Sequence, residues 1–234
     1  MAIAFLNSTA LTFGTAASTW SIPTHSSREG GAAFVVGIGV ASSAVTVSAM
    51  TDNSGHTYTL AVARGTPRPV AGAELWYATN LSSGSTRVSV TLSGNSSGSM
   101  AIAQFTGIST ANALLETGSS ATTANSTVHG ASEFTPSTAN SVVVWYARAT
   151  ASTISPVAAD GGFTLWTSTG SAVRQLGGYL IQGAASTVSG QWRSGAGSTG
   201  PCQHAEVMAA FSDTAAPPPP LAFAGWCGLL GVGM

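Results

Sequence analysis

The chain has 234 residues, of which only 6% are charged, with no lysine and a formal net charge of −1. So few cations exclude the basic stripe that nucleic acid requires and the polybasic patch that draws a protein to acidic lipid. A hydrophobic content of 44% excludes the composition of a disordered chain, and at this length it suffices for a core that buries roughly 70% of the unfolded surface.

Short runs of Val, Ile, Thr, Tyr and Trp recur between clusters of Gly, Ser, Asn and Asp, and helical periodicity is nearly absent, which is the signature of an all-β fold. In chain order the pattern predicts strands at Leu11–Thr15, Ala32–Ala41, Val45–Met50, Thr57–Ala63, Ala73–Asn80, Thr86–Leu92 and Ser99–Thr106. A second series follows at Ser141–Ala149, Phe163–Thr167, Ala172–Ile181, Ser186–Trp192 and His204–Phe211. Landmarks repeat in the same order: "AAFVVGIGVASS" parallels "SVVVWYARATAS", "NSGHTYTL" parallels "DGGFTLWT", and "MAIAQF" parallels "EVMAAF". Neither half is expected to supply a complete set of strands for its own closed core. The expectation is therefore one antiparallel jelly-roll β-sandwich over residues 1–216, assembled from a pseudo-repeat of strands. The polar stretch 111–136 is expected to be a long connection across the outside. No run reaches 18 apolar residues, so no transmembrane helix is expected.

Beyond the sandwich, Pro217–Pro220 read as a semi-rigid extended spacer. The apolar tail behind it, 221–234, reads as a docking peptide carried by Leu221, Phe223, Trp226, Leu229 and Leu230. The alternative is that it folds back on its own sandwich. With so few charges the surface must be Ser, Thr, Asn, Gly and Ala, weakly protected against association. Either the composition is genome-driven or much of the surface is buried in an assembly.

The segments "VTVSAMTDNSGHTYTLAV", "AELWYATNLSSGSTRVSVTLSG" and "MAIAQFTGIST" resemble a jelly-roll β-sandwich module of bacterial secreted surface proteins and phage virion proteins. That module runs V-T-D-x-x-G-N-x-Y-T, then an E-hydrophobic-W-Y-A strand, then V-T-V-T, then an E-F/Y-S-G stretch. The resemblance covers Ala32 to Phe211, departing at His56 (for Asn) and Gln104 (for the acid). It carries no catalytic residues over and implies display, adhesion or assembly.

No residue pattern points to chemistry. Asp52, Asn53, Ser54 and Gly55 form strong turn chemistry, and with one charge nearby they fall short of the six or more oxygens that calcium takes. Gly94–Gly98, "GNSSG", matches a nucleophile elbow, but a strand follows where a helix is needed. None of His25, His56, His129 and His204 stands at a metal or triad spacing from an acid; His204 and Glu206, two apart, share a strand face and could hydrogen-bond. Cys202 and Cys227 lack zinc spacing, leaving a disulfide or two free thiols open. Alternation splits Trp76 and Tyr77 across two faces, with Trp76 beside Glu74, and Arg87 could pair with Glu74 if the two strands form a hairpin.

The expectation is a non-enzymatic virion protein, a phage capsid-decoration or head/tail accessory protein without cofactor or metal. Its partners would be other virion subunits and copies of itself, and with "MAIAFLNSTA" lacking the features of a signal peptide it would assemble in the host cytoplasm. The alternative is an extracellular carbohydrate-binding or adhesion module that uses Trp76, Trp166 or Trp192 as outward aromatics.

Overall fold

The computed structural model describes residues 2–24, 30–42, 44–64, 72–84, 87–126, 128–130, 133–149, 156–160, 162–168, 175–189, 191–194 and 202–214. The regular structure of these residues is all strand. The first half contains β1 (Ala4–Pro23), β2 (Ala32–Val40), β3 (Val47–Asp52), β4 (Thr59–Ala63), β5 (Gly72–Leu81) and β6 (Arg87–Thr106). The second contains β7 (Leu114–Ser126), β8 (Val128–Gly130), β9 (Ser141–Ala149), β10 (Pro156–Asp160), β11 (Thr164–Ser168), β12 (Gln175–Gln182), β13 (Gln191–Ser194) and β14 (Cys202–Ser212). The fold is a β-sandwich in which two antiparallel sheets pack face to face.

The repeat in the sequence is a repeat of topology. The first sheet runs β1-β6-β2-β5-β4 and the second β7-β14-β9-β12-β11, the same order strand for strand. In the first half β3 pairs with Val88–Leu92 of β6, while Thr19–Pro23 of β1 pair with Arg87–Thr91 on the other side. The small sheet β10-β13-β8 repeats that arrangement in the second half. In the first half the large and small sheets share the long strands β1 and β6, bent at the register shifts between Phe13 and Thr19 of β1.

Three apolar layers follow. The central one lies between the large sheets and joins Val35, Leu75, Ala103 and Phe105 to Val142, Val144, Val207 and Phe211. On the outer face of the first sheet, Phe34, Val36, Ile38 and Val40 pack with Trp20, Ile22, Val88 and Val90. On the outer face of the second, Val143, Trp145 and Ala147 pack with Phe163, Leu176, Val188 and Met208. β2 and β9 are therefore covered on both sides, which is why all nine residues of each are buried and why each reads as a continuous apolar run instead of an alternating one. Each half thus carries its own apolar layer besides the shared one. The sequence suggested otherwise because the ends of β1, all of β7 and all of β10 escape the hydrophobic pattern. The polar stretch 111–136 likewise contains β7, an edge strand of the second sheet paired along β14.

The central layer has an approximate two-fold relation. β1 touches β11 just as β7, its equivalent, touches β4. Gly37 and Tyr146 are both sixth in their nine-residue strands, and they meet across the layer: a Cβ on Gly37 would overlap the Tyr146 ring. Gly39 and Arg148, both eighth, meet likewise, and a Cβ on Gly39 would lie 2.9 Å from Arg148 Cδ. On an exact two-fold axis a residue meets its own copy, so two large side chains collide and two glycines leave a void. A single chain removes that constraint by placing glycine in one half and a large side chain in the other.

Tyr146 and Arg148 bring a polar chain into this layer. Tyr146 Oη donates to Gln175 Oε1 at 3.0 Å, so Ser99 Oγ, 2.9 Å away, is the donor to Tyr146. Arg148 Nη1 approaches Ser99 Oγ at 3.5 Å. Burial pushes the Tyr146 phenol up to about 12, against the opposing effects of the Ser99 hydrogen bond and the Arg148 charge. The unfolded phenol ionises near pH 10. The native state holds its proton longer, so this contribution to stability is complete below about pH 10 and is lost as the pH rises toward 12. A two-unit difference corresponds to about 3 kcal/mol. Urea titrations from pH 9 to 12 should show the native chain losing stability faster than Tyr146→Phe; parallel curves would contradict this account.

Candidate functional site

The turn between β3 and β4 holds the most organised polar cluster among the described residues. Asp52 ends β3, and the Gly55 amide closes the turn on the Asp52 carbonyl at 3.3 Å, with Gly55 at φ 78°, where glycine is favoured. The turn chemistry expected from "DNSG" is therefore present. The Asp52 carboxylate is fully buried and collects its neighbours. Oδ1 accepts from the amides of Ser54 (2.8 Å) and His56 (3.1 Å). Oδ2 takes His56 Nδ1 at 2.7 Å and accepts from Tyr58 Oη at 3.0 Å. Burial raises the carboxyl pKa, but the His56 side-chain bond, the His56 and Ser54 amides and Tyr58 outweigh it. The net result is a value below the ordinary aspartate.

The other ring nitrogen of His56 reaches the connection between β5 and β6. The Ser82 amide donates to His56 Nε2 at 3.0 Å, and Ser82 Oγ lies 3.3 Å from the same atom. A backbone amide can only donate, so Nε2 carries the lone pair and the ring proton sits on Nδ1, facing Asp52. A second clasp holds the two loops together: Asn53 Oδ1 accepts from the Arg87 amide at 2.8 Å, and the Asn53 amide donates to the Arg87 carbonyl at 3.3 Å. Asp52, His56 and Ser82 thus form an acid–imidazole–hydroxyl line with Ser82 exposed at its end. Such a line can draw the serine proton onto Nε2 while the carboxylate stabilises the imidazolium. This corrects the reading that no histidine stands at a triad spacing from an acid: Asp52 and His56 are four apart, a spacing that brings side chains together on a helix, and here the tight turn between two strands does it instead.

The residues singled out from the sequence fall elsewhere. Trp166 is buried against Tyr146 and beneath Gly177 in the central layer, so it is not an outward aromatic. Its strand has large-sheet neighbours on one side and the first half of the molecule on the other. Trp76 is half-buried on the outer face of the first sheet, and its indole Nε1 donates to Glu74 Oε2 at 2.9 Å. Tyr77 points the opposite way, into the central layer. Trp192 lies in β13, opposite His129 of β8. Leu221, Phe223, Trp226, Leu229 and Leu230 lie outside the described residues, as does Cys227.

Glu74 does not meet Arg87, because β2 stands between β5 and β6 in the sheet. Glu74 is buried and accepts instead from Trp76 and from the Val47 amide at 3.2 Å, while exposed Arg87 reaches Ser21 Oγ at 3.2 Å. His204 and Glu206 do share a face and are buried, with Nε2 and Oε2 4.0 Å apart, too far for a hydrogen bond between those atoms. Gly94–Gly98 lie inside β6, which leaves no room for a nucleophile elbow there. A surface pocket of about 290 Å³ opens between the halves, lined by Ile3, Asn140, Ile181, Gln182 and Asp213. Among the described residues no three His, Cys, Asp or Glu side chains gather to hold a metal ion, and no helix is long and apolar enough to cross a membrane. No protein-family model, no curated protein and no solved structure matches this chain.

Proposed function

We propose that the protein is a structural, non-enzymatic component of a virus particle, a phage capsid-decoration or head/tail accessory protein. One observation carries the reading: the described residues bury nearly all their large apolar side chains, while the sequence continues into an apolar tail. Among the described residues the exposed large hydrophobics are Leu11, Leu60 and Ile181. Leu11 and Leu60 stand on the two opposite edge strands of one sheet and Ile181 belongs to the other, so they do not merge into a docking patch. Attachment then falls to the polar loops and to the segment 221–234, which follows the proline run Pro217–Pro220 in the sequence. A rigid sandwich whose described residues merge into no exposed apolar patch suits repeated display on a symmetric shell, where weak contacts of many copies add up. The burial of Trp166 leaves the sugar-binding alternative with fewer outward aromatics.

Deletion of 221–234 should leave the melting temperature and the β-sheet circular dichroism unchanged and should abolish incorporation into particles. Full occupancy of the particle by the truncated chain would sink the tail-docking reading.

A further inference from the structure

We propose that Ser82 is an acyl-accepting nucleophile that takes a carboxylic acyl group from an activated ester and retains it. The inference is independent of any role in a particle and rests on the geometry of one turn. An ordinary serine hydroxyl is a poor nucleophile; it gains power when a correctly oriented base accepts its proton. Here the base is oriented twice over. Asp52 holds Nδ1–H of His56 at 2.7 Å, which fixes the tautomer and turns the Nε2 lone pair outward. The Ser82 hydroxyl lies 3.3 Å from that lone pair, and Ser82 itself is exposed, so an ester carbonyl can approach from solvent. The group that orients the base is firmly held, because Tyr58 Oη and two amides keep the Asp52 carboxylate in place and in its charged form.

The step balances within these groups. Ser82 Oγ attacks the ester carbonyl carbon as its proton passes to His56 Nε2, and the Ser82 amide must release that nitrogen in the same step, because two N–H groups cannot share one lone-pair position. The tetrahedral adduct collapses, the bond from carbon to the leaving oxygen breaks, and the leaving alkoxide or phenoxide carries away the proton from Nε2. The acyl group has moved to Ser82, one alcohol has been released, and His56 is again neutral.

The same geometry predicts that the acyl group stays. The Ser82 amide also donates to Nε2, at 3.0 Å. Before acylation the hydroxyl competes for the lone pair from a fixed position, one bond rotation away. Once Oγ is acylated, the amide alone holds the lone pair, and a water molecule must displace a backbone donor to be activated. The result is covalent modification without turnover.

The test uses the full chain and p-nitrophenyl acetate at neutral pH. The expected result is a burst of p-nitrophenolate equal to the protein concentration, an intact mass raised by one acetyl group, and peptide mapping that places the group on Ser82. Ser82→Ala keeps the backbone amide and hence the contact with His56, and it should abolish the burst with the melting temperature unchanged. His56→Gln should slow acylation by about a hundredfold, the usual worth of a positioned base. Acetyl label spread over other residues, or kept by Ser82→Ala, would overturn the proposal. Sustained turnover that Ser82→Ala removes would overturn the retention of the acyl group.

Discussion

Gly37→Ala should destabilise the protein by about 3 kcal/mol, toward the upper end for added volume in a packed core. The single methyl would be driven into the Tyr146 ring at the centre of the layer between the two halves. The ring cannot easily move away: it is fully buried, it packs near Trp166, and its hydroxyl is held by Ser99 and Gln175. Tyr146→Ala alone should cost about 3–5 kcal/mol, as for other large aromatics cut back to alanine in a core. The informative quantity is the double variant. If Gly37 is glycine because Tyr146 occupies its side-chain space, the new methyl partly fills the hole left by the ring. The combined loss should then fall short of the sum by about 1–3 kcal/mol. Urea unfolding of the four chains measures this directly. Additivity within about 0.5 kcal/mol would mean that the two positions are independent, and the account of paired small and large residues across the approximate axis would fail.

That pairing illustrates what can and cannot be read from one chain. The nine-residue runs at Ala32 and Ser141 are legible as strands and as equivalents of one another, since continuous apolar character marks a strand covered on both faces. That Gly37 and Tyr146 touch is not legible, because it depends on which faces of the two sheets meet. Strand β1 is twenty residues long, yet only Leu11–Thr15 stand out, because its Ser, Thr and Ala residues do not alternate with apolar ones. β7, "LLETGSSATTANS", resembles a polar loop for a related reason. It is an edge strand that pairs through backbone groups on one side only, and it needs little apolar character to do so. Trp166 shows the same limit: alternation tells which residues share a face, and the fold alone tells which face is covered.

The site was half visible. The turn at "TDNSGHTYT" is written in its residue types, and so is the strand beyond it, where buried Val88, Val90 and Leu92 alternate with the less buried Arg87, Ser89 and Thr91. The Asp52–His56 contact follows from closing that turn. Ser82, 26 residues farther on, enters only because the β5–β6 connection is pinned beside the turn through Asn53 and Arg87. No local pattern encodes that meeting. The departure of His56 from the asparagine of the resembling module fell on the residue that turned out to organise the cluster.

Asp52→Ala should cost about 3 kcal/mol, because it strands four donors: two backbone amides, the His56 ring N–H and the Tyr58 hydroxyl. Asp52→Asn is the sharper variant. Its carbonyl oxygen can still serve the two amides, but its amide group then faces His56 as a donor. Nδ1 must give up its proton to accept, the proton moves to Nε2, and Nε2–H points at the Ser82 amide, donor against donor. An isosteric change should therefore loosen the contact between the two loops and cost nearly as much as alanine. The pH dependence has a definite sign. The folded carboxyl titrates below its unfolded value of about 3.9, so its contribution is complete above that pH and is lost as the pH falls through the folded value. The stability gap between the native chain and Asp52→Ala should accordingly narrow below about pH 4. Nitrogen-resolved NMR of the imidazole should find the Nδ1–H tautomer in the native chain and Nε2–H in Asp52→Asn. An Asp52→Asn chain that is as stable as its parent and keeps Nδ1–H would show that the carboxylate does not orient His56, and the acyl-accepting role of Ser82 would lose its base.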